Sequence, residues 1–193
     1  MSSTMPLRER KKHATKLALA NAALELADTN GLAQLRIEDI ADRAGVSMRT
    51  FRNYFSSKEA ALVWLLTHNY DLVVDALEKD RADKDLFHAL AEACATLYPT
   101  DPDRDWVKRM RMLKTEPALA AERYRGDAMA LETLADQIAE WAKARHDATI
   151  YPHFAAEVTQ AALRAAIDYW LDEPDTPPLR KVVRDFISRI RIS

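Results

Sequence analysis

The chain has 193 residues, 48% of them apolar and 30% charged, with 28 Lys and Arg against 30 Asp and Glu, a globular rather than a disordered composition. Only Gly31, Gly45 and Gly126 are glycines, which excludes glycine-rich phosphate loops, the dinucleotide fingerprint and hairpin-rich sheets. The single cysteine, Cys94, excludes an intrachain disulfide and a multi-cysteine metal site, so no metal and no cofactor are expected.

Charge is segregated along the chain. Residues 1–60 hold 10 Lys and Arg against 7 Asp and Glu, while residues 61–193 hold 18 against 23. A basic end on an acidic remainder suits a protein that touches a polyanion with one end only. The basic start from Arg8 to Lys12 has no apolar stretch behind it, and no run reaches the ~20 apolar residues that span a bilayer. A cytoplasmic protein without membrane contact is expected.

Low glycine with abundant Ala and Leu predicts an all-α fold. Leu17, Ala20, Leu24 and Ala27 recur at helical spacing over residues 10–30, and Gly31 follows as a stop. Ile37, Ile40, Ala41 and Ala44 mark a two-turn helix closed by Gly45. A third helix opens at Ser47, a good N-cap, and runs through Phe51 to Phe55. The chain then breaks at Ser56-Ser57 and restarts as a long helix from Lys58 to about Lys79. Leu86, Leu90, Cys94 and Leu97 define the next helix, ended by Pro99 and the turn Thr100-Asp101-Pro102-Asp103. Trp106, Met110 and Leu113 mark a short helix, Pro117 starts one reaching about Arg145, and the last two run from Phe154 to Leu171 and from Leu179 to Ile190.

Ile37 to Lys58 is the informative stretch. Two short helices joined by Gly45-Val46-Ser47 form a helix-turn-helix: Gly45 supplies the left-handed turn, Val46 plugs the angle and Ser47 caps the second helix. Phe51 and Phe55 would anchor that helix and leave its N-terminal residues free for a DNA major groove.

The string Ile40-Ala41-Asp-Arg-Ala44-Gly45-Val46-Ser47-Met-Arg-Thr50-Phe51-Arg-Asn-Tyr54-Phe55-Ser-Ser57-Lys58-Glu59 resembles the signature of TetR-family transcriptional regulators. The resemblance implies a three-helix DNA-binding domain over residues 1–57 with a basic N-terminal arm, a larger helical ligand-binding domain over 58–193, and a homodimer. Arg49-Thr50-Phe51, Lys108–Leu119 and Ala161–Leu171 are similar to the actinobacterial branch related to mycofactocin regulators, whose C-terminal domain is described as binding acyl-CoA-like ligands. Two positions depart from the family. Position 36, commonly a capping Thr, is Arg36, and position 52, commonly aromatic, is Arg52, where a guanine contact becomes possible.

Carried onto this chain, the resemblance places Thr50 and Lys58 at phosphates and Ser47, Met48, Arg49 and Arg52 at base edges. Arg36 offers a cationic phosphate contact, Tyr54 packs or touches the backbone, and the arm from Arg8 to Lys16 adds non-specific affinity or reaches a minor groove. In the body, Trp64, His68, Trp106, Met110, Tyr124 and Trp141 are the candidates for lining a cavity between helices, although such residues at helical spacing are often ordinary core. Lys108, Arg109, Arg111 and Lys114 form a solvated face or meet an anionic head group. Catalysis finds no support: His13, His68, His88, His146 and His153 are scattered and no HExxH occurs.

Leu179, Val182, Val183, Phe186, Ile187 and Ile190 form one apolar stripe, and the alanines from Ala155 to Ala166 let a helix approach closely, which together predict dimerisation through residues 154–191. The expected activity is repression relieved by an apolar or acyl-CoA-like ligand, with the helix from Ser57 to Lys79 pivoting between the sites. The alternative is a helical protein–protein adaptor, or an activator without ligand-driven release.

Overall fold

In a computed structural model the described residues are 6–67, 73, 77, 85–144, 151–173 and 176–191. Among them the regular structure is helical, with no strand, as the composition predicts. In chain order the helices are α1 (Leu7–Asn30), α2 (Ile37–Arg43), α3 (Met48–Tyr54), α4 (Lys58–Thr67), α5 (Leu86–Ala95), α6 (Arg104–Thr115), α7 (Pro117–Ala144), α8 (Pro152–Asp172) and α9 (Leu179–Ser188). The chain divides into two compact units, Met1–His68 with Ala121–Arg123, and Asn69–Ala120 with Tyr124–Ser193. That division leaves α4 with the first unit.

In the first unit α1 packs against both α2 and α4. Serving two neighbours requires a broad apolar surface, and the buried residues of α1 are Leu19, Ala20, Ala22, Ala23 and Ala27. Leu17 and Leu24, expected on a narrower stripe, are only half-buried. Gly31 ends α1 at φ +81° and ψ 155°, a region essentially reserved for glycine, while its N–H still reaches the Ala27 carbonyl at 2.9 Å. A short 3-10 turn over Leu32–Gln34 follows and delivers Leu35 into the core.

In the second unit α5 is the central helix. Eight of its ten residues, Leu86 to Ala95 without His88 and Glu92, are buried, the signature of a helix covered on nearly all sides. It packs against α8 and α9. The α9 stripe expected to meet a second chain is spent here: Leu179, Val182, Val183 and Ile187 are buried in this core, and only Phe186 and Ile190 stay half-open. Polar clamps close the packing, with Arg184 Nε 2.9 Å from the Glu92 carboxylate and Arg180 Nε donating to the Tyr98 carbonyl at 2.7 Å.

The basic side chains of α6 have definite partners as well. Arg111 donates to the Leu171 carbonyl at 3.1 Å, capping the last turn of α8, and Lys114 pairs with Asp172 and, at 3.8 Å, with Asp168. These two cations hold α6 to α8, and are therefore committed elsewhere than to an anionic head group.

Cys94 lies on α5 with 2% of its surface exposed, and burial pushes its thiol from the ordinary 9.0 up to about 12. The native thiol should not react with an aromatic disulfide reagent at pH 8, and should react fully in denaturant. A raised native value also stabilises the fold below pH 9, and this contribution erodes as pH rises from 9 toward 12. Urea midpoints should therefore show wild type losing about 2 kcal/mol more than Cys94→Ala between pH 8 and pH 10.5.

Candidate DNA-binding interface

The turn between α2 and α3 is built from backbone hydrogen bonds. Val46 N–H donates to the Ala41 carbonyl and Gly45 N–H to the Asp42 carbonyl, both at 3.0 Å, and Gly45 sits at φ +68°. This pair of bonds around a glycine in the left-handed region is a Schellman closure of α2. Ser47 follows in an extended conformation, and its Oγ accepts from Thr50 N–H at 3.1 Å, so α3 starts immediately. Thr50 Oγ1 lies 2.9 Å from the same Ser47 oxygen.

Phe51 then fixes α3 in rotation. It is 0% exposed, and its ring lies 5.8 Å from that of Phe55, which lies 5.9 Å from Trp64 on α4. Lys16 of α1 closes this aromatic joint with its Nζ 4.6 Å from the Trp64 ring centroid and 5.5 Å from that of Phe55, the arrangement of a cation–π contact. Desolvation, and secondarily the charge of Lys12, hold the Lys16 ammonium below its usual range. Lys16 is thus a structural cation rather than part of a free arm. Arg8 to Lys12 are exposed but belong to α1, and a helix is too thick for a minor groove about 6 Å wide. The expected minor-groove arm is accordingly a helical start, whose cations can add only long-range attraction to phosphates.

With Phe51 inward, Met48, Arg49, Arg52 and Asn53 are exposed. The side chains of Arg49 and Arg52 have no hydrogen bond or ion pair with another described residue. Asn53 shares this outward face and was passed over in the motif. The signal was present, because Asn53 stands as far after Phe51 as Arg49 stands before it. Tyr54 is half-buried. Arg36 occupies the N-cap position of α2 with no side-chain cap bond, as its replacement of a Thr implies, and is 73% exposed at 3.9 Å from Glu38.

Lys58 behaves differently from the free phosphate ligand that the resemblance implies. Its Nζ donates to the Leu32 carbonyl at 3.0 Å and the Leu35 carbonyl at 2.8 Å, pinning the turn after α1. Two of its three N–H groups are spent in this way. Ser57 caps α4 by accepting from Ala60 N–H at 3.0 Å.

None of the described residues expected to line a ligand cavity lines the one found in the second unit. Trp64 belongs to the aromatic joint of the first unit, and His68 lies outside the described residues, as does most of the chain between Thr67 and Lys79. In the second unit Trp106 packs edge-on between Tyr98 and Trp170, Met110 and Trp141 are buried, and Tyr124 is 62% exposed with Arg164 over its ring. One cavity among the described residues there measures about 10 Å³, and Val73, Cys94, Leu131, Leu134, Thr159, Gln160 and Leu163 line it with apolar surface only. Gln160 donates to the Asp127 carbonyl at 3.1 Å, and Arg164 pairs with the Asp127 carboxylate at 3.2 Å. Sequence periodicity did not isolate these residues, because they look like any other inward-facing positions. Among the described residues no group of His, Cys, Asp and Glu could hold a metal ion, and no helix is long and apolar enough to cross a membrane.

Ser47→Ala should destabilise the first unit by about 0.5–2 kcal/mol through loss of the cap. Ser47→Asp should keep the cap and the stability yet weaken DNA binding, because it sets a carboxylate against phosphates. Lys58→Ala should lower the denaturation midpoint as well as the DNA affinity, since two carbonyls lose their donor. Thermal melts paired with fluorescence anisotropy on labelled DNA separate these effects.

Residues 19–63 match the model of the bacterial regulatory proteins of the tetR family, and residues 84–192 match the MftR C-terminal domain. The HTH-type transcriptional regulator RutR of Escherichia coli is 31% identical over 166 residues, covering 84% of this chain and 78% of RutR. Among solved structures, a TetR-family regulator from Syntrophomonas wolfei superposes with a TM-score of 0.61 at 16% identity, covering 92% of this chain and 93% of its own. Thermus thermophilus FadR, a TetR-family repressor solved in complex with lauroyl-CoA, gives a TM-score of 0.54 at 21% identity, covering 92% and 97%. The capped, Phe51-seated helix-turn-helix, the helical second unit and these matches agree: the chain belongs to the TetR family of DNA-binding transcriptional regulators.

Proposed function

We propose that the chain is a homodimeric, cytoplasmic repressor that grips a palindromic operator through α3 and leaves it when an apolar or acyl-CoA-like molecule enters the second unit. The observation that carries this reading is the exposed outer face of α3, where Arg49 and Arg52 have no partner among the described residues. Arg49, Arg52, Ser47 and Met48 reach base edges, the first two suited to guanine. Arg36, Thr50, Tyr54 and the remaining donor of Lys58 meet the sugar–phosphate backbone. The excess of cations in residues 1–60 makes this the end that a polyanion attracts.

Dimerisation uses the outer face of α8. Phe154 and Tyr169 are 53% and 46% exposed, and exposed Ala161 and Ala165 lie between them at helical spacing. Large apolar rings flanking small residues allow two helices to pack closely, and Tyr169 leans on Phe186 of α9 with ring centroids 5.7 Å apart. Two copies joined in this way must present their α3 helices about 34 Å apart to enter successive major grooves. Ala165→Glu should yield a folded monomer, seen as half the dimer mass in light scattering with unchanged helical circular dichroism. A dimer that survives this change would locate the interface elsewhere.

The second unit suits a ligand of low polarity. A cavity there presents only apolar surface, most of it from aliphatic side chains, and Trp106, Met110, Tyr124 and Trp141 of the same unit are further candidates for contact with a ligand. FadR of Thermus thermophilus was solved with lauroyl-CoA bound, and this ligand class matches the lining. At about 10 Å³ the cavity has room for no more than a single water, whereas drug-sized ligands occupy roughly 300–1,000 Å³. Binding at this cavity would select an expanded conformer, and that difference would distinguish ligand-bound from DNA-bound protein.

A preference of ~2–3 kcal/mol for that conformer lowers operator affinity roughly 30- to 150-fold, and by linkage DNA lowers ligand affinity by the same factor. Lauroyl-CoA titrated into the dimer with and without operator DNA tests this reading. Binding should weaken in the presence of operator, and equal affinities in the two conditions would remove ligand-driven release. Arg49→Ala and Arg52→Ala together should abolish the guanine preference, and a double variant with wild-type preference would remove α3 as the reading element.

A further inference from the structure

Asn53 sits on the outward face of α3, yet neither the helix-turn-helix motif nor the family signature gives it a role. It is exposed, and its side chain has no hydrogen bond with another described residue. Asn53 lies in the last turn of α3, and its exposed amide is not called for by packing.

Its direction follows from Phe51. Each residue turns an α-helix by about 100°, so residues two before and two after Phe51 both point about 160° away from it and lie about 40° apart. Phe51 is 0% exposed. Arg49 and Asn53 are therefore i,i+4 neighbours on the face opposite the core, while Arg52 stands on the flank. When α3 enters a major groove with Phe51 toward the protein, Arg49 and Asn53 reach deepest.

The two side chains differ in what they can read. A guanidinium offers only donors and matches the paired acceptors O6 and N7 of guanine. A carboxamide offers one donor and one acceptor side by side, which matches N7 and the N6 amino group of adenine. The four residues from Arg49 to Asn53 rise about 6 Å along the helix, the height of about two base-pair steps.

We infer that Asn53 is a specificity-determining residue that selects an adenine in each half-site, within about two base pairs of the guanine read by Arg49. This inference rests on the proposed reading of α3 as the helix in the major groove.

The test is selection from a randomised DNA pool with the full-length wild type, Asn53→Ala and Arg49→Ala, followed by anisotropy titrations on the wild-type operator and on operators altered at the adenine. Wild type should enrich adenine at one position per half-site. Asn53→Ala should lose that preference alone and bind the wild-type operator about 5- to 150-fold more weakly. Replacing the adenine should weaken wild type by the same factor and leave Asn53→Ala unaffected. An Asn53→Ala profile identical to wild type, alongside a changed Arg49→Ala profile, overturns the role of Asn53 and leaves α3 as the reading helix. Profiles unchanged in both variants, or no enriched sequence for wild type, overturn the reading of α3 itself. Thermal melts of both variants confirm that the outward substitutions leave the fold intact.

Discussion

The burial of Phe51 sets the rotation of α3 about its own axis, and the chemistry available on that helix follows from it. A helix of seven residues has too few internal hydrogen bonds to persist alone in water. Its structure comes from tertiary packing of the Phe51–Phe55–Trp64 aromatic joint and from the Ser47 cap. Because a single inward side chain defines the inward direction, the outward one is defined too, and Arg49, Arg52 and Asn53 become the accessible surface. A smaller residue at position 51 would leave the cations in place and loosen their aim.

The same economy explains the cations that do not serve the surface. Lys16 and Lys58 both sit in a cation-rich end of the chain, and charge counting treats them like Arg49. Lys16 instead spans two aromatic rings and Lys58 closes the turn after α1 through the Leu32 and Leu35 carbonyls. Their long apolar stems allow both to cross hydrophobic surface before the charge finds its partner. The electrostatic footprint that DNA would meet is consequently smaller than the sequence count, and Arg8 to Lys12, Arg36, Arg43, Arg49 and Arg52 supply its exposed part, with Arg43 paired to Glu25.

Local signals carried most of the fold in readable form. Gly45, Val46 and Ser47 each encode one backbone event, and the structure places a Schellman closure and a cap on those residues. Helix ends at Gly31, Asp103 and Pro117 were equally legible, since caps and breakers act within a few residues. What periodicity cannot reveal is which partner an apolar face meets. The α9 stripe has the same spacing whether it packs on a second chain or, as found, on α5 and α8. Trp64, Trp106 and Trp141 likewise look alike in sequence. One belongs to the aromatic joint of the first unit, one to a cluster with Tyr98 and Trp170, and one to the second unit's core.

The small cavity beside Leu131, Leu134 and Leu163 bears on regulation on the proposed reading. A ligand shifts a distant equilibrium only by its difference in affinity for the two states. At about 10 Å³ this cavity takes a larger ligand only if the elements that line it separate, α7 with Leu131 and Leu134 and α8 with Leu163 among them. Interiors packed near crystal density do not deform smoothly, so the separation favours a discrete second arrangement over a graded one. The polar atoms of the lining residues are already satisfied, with Thr159 Oγ1 donating to the Ala155 carbonyl and Gln160 to that of Asp127. A ligand must therefore gain most of its affinity from apolar contact, and its chain length rather than its polar group would set the extent of opening and hence the strength of coupling to DNA.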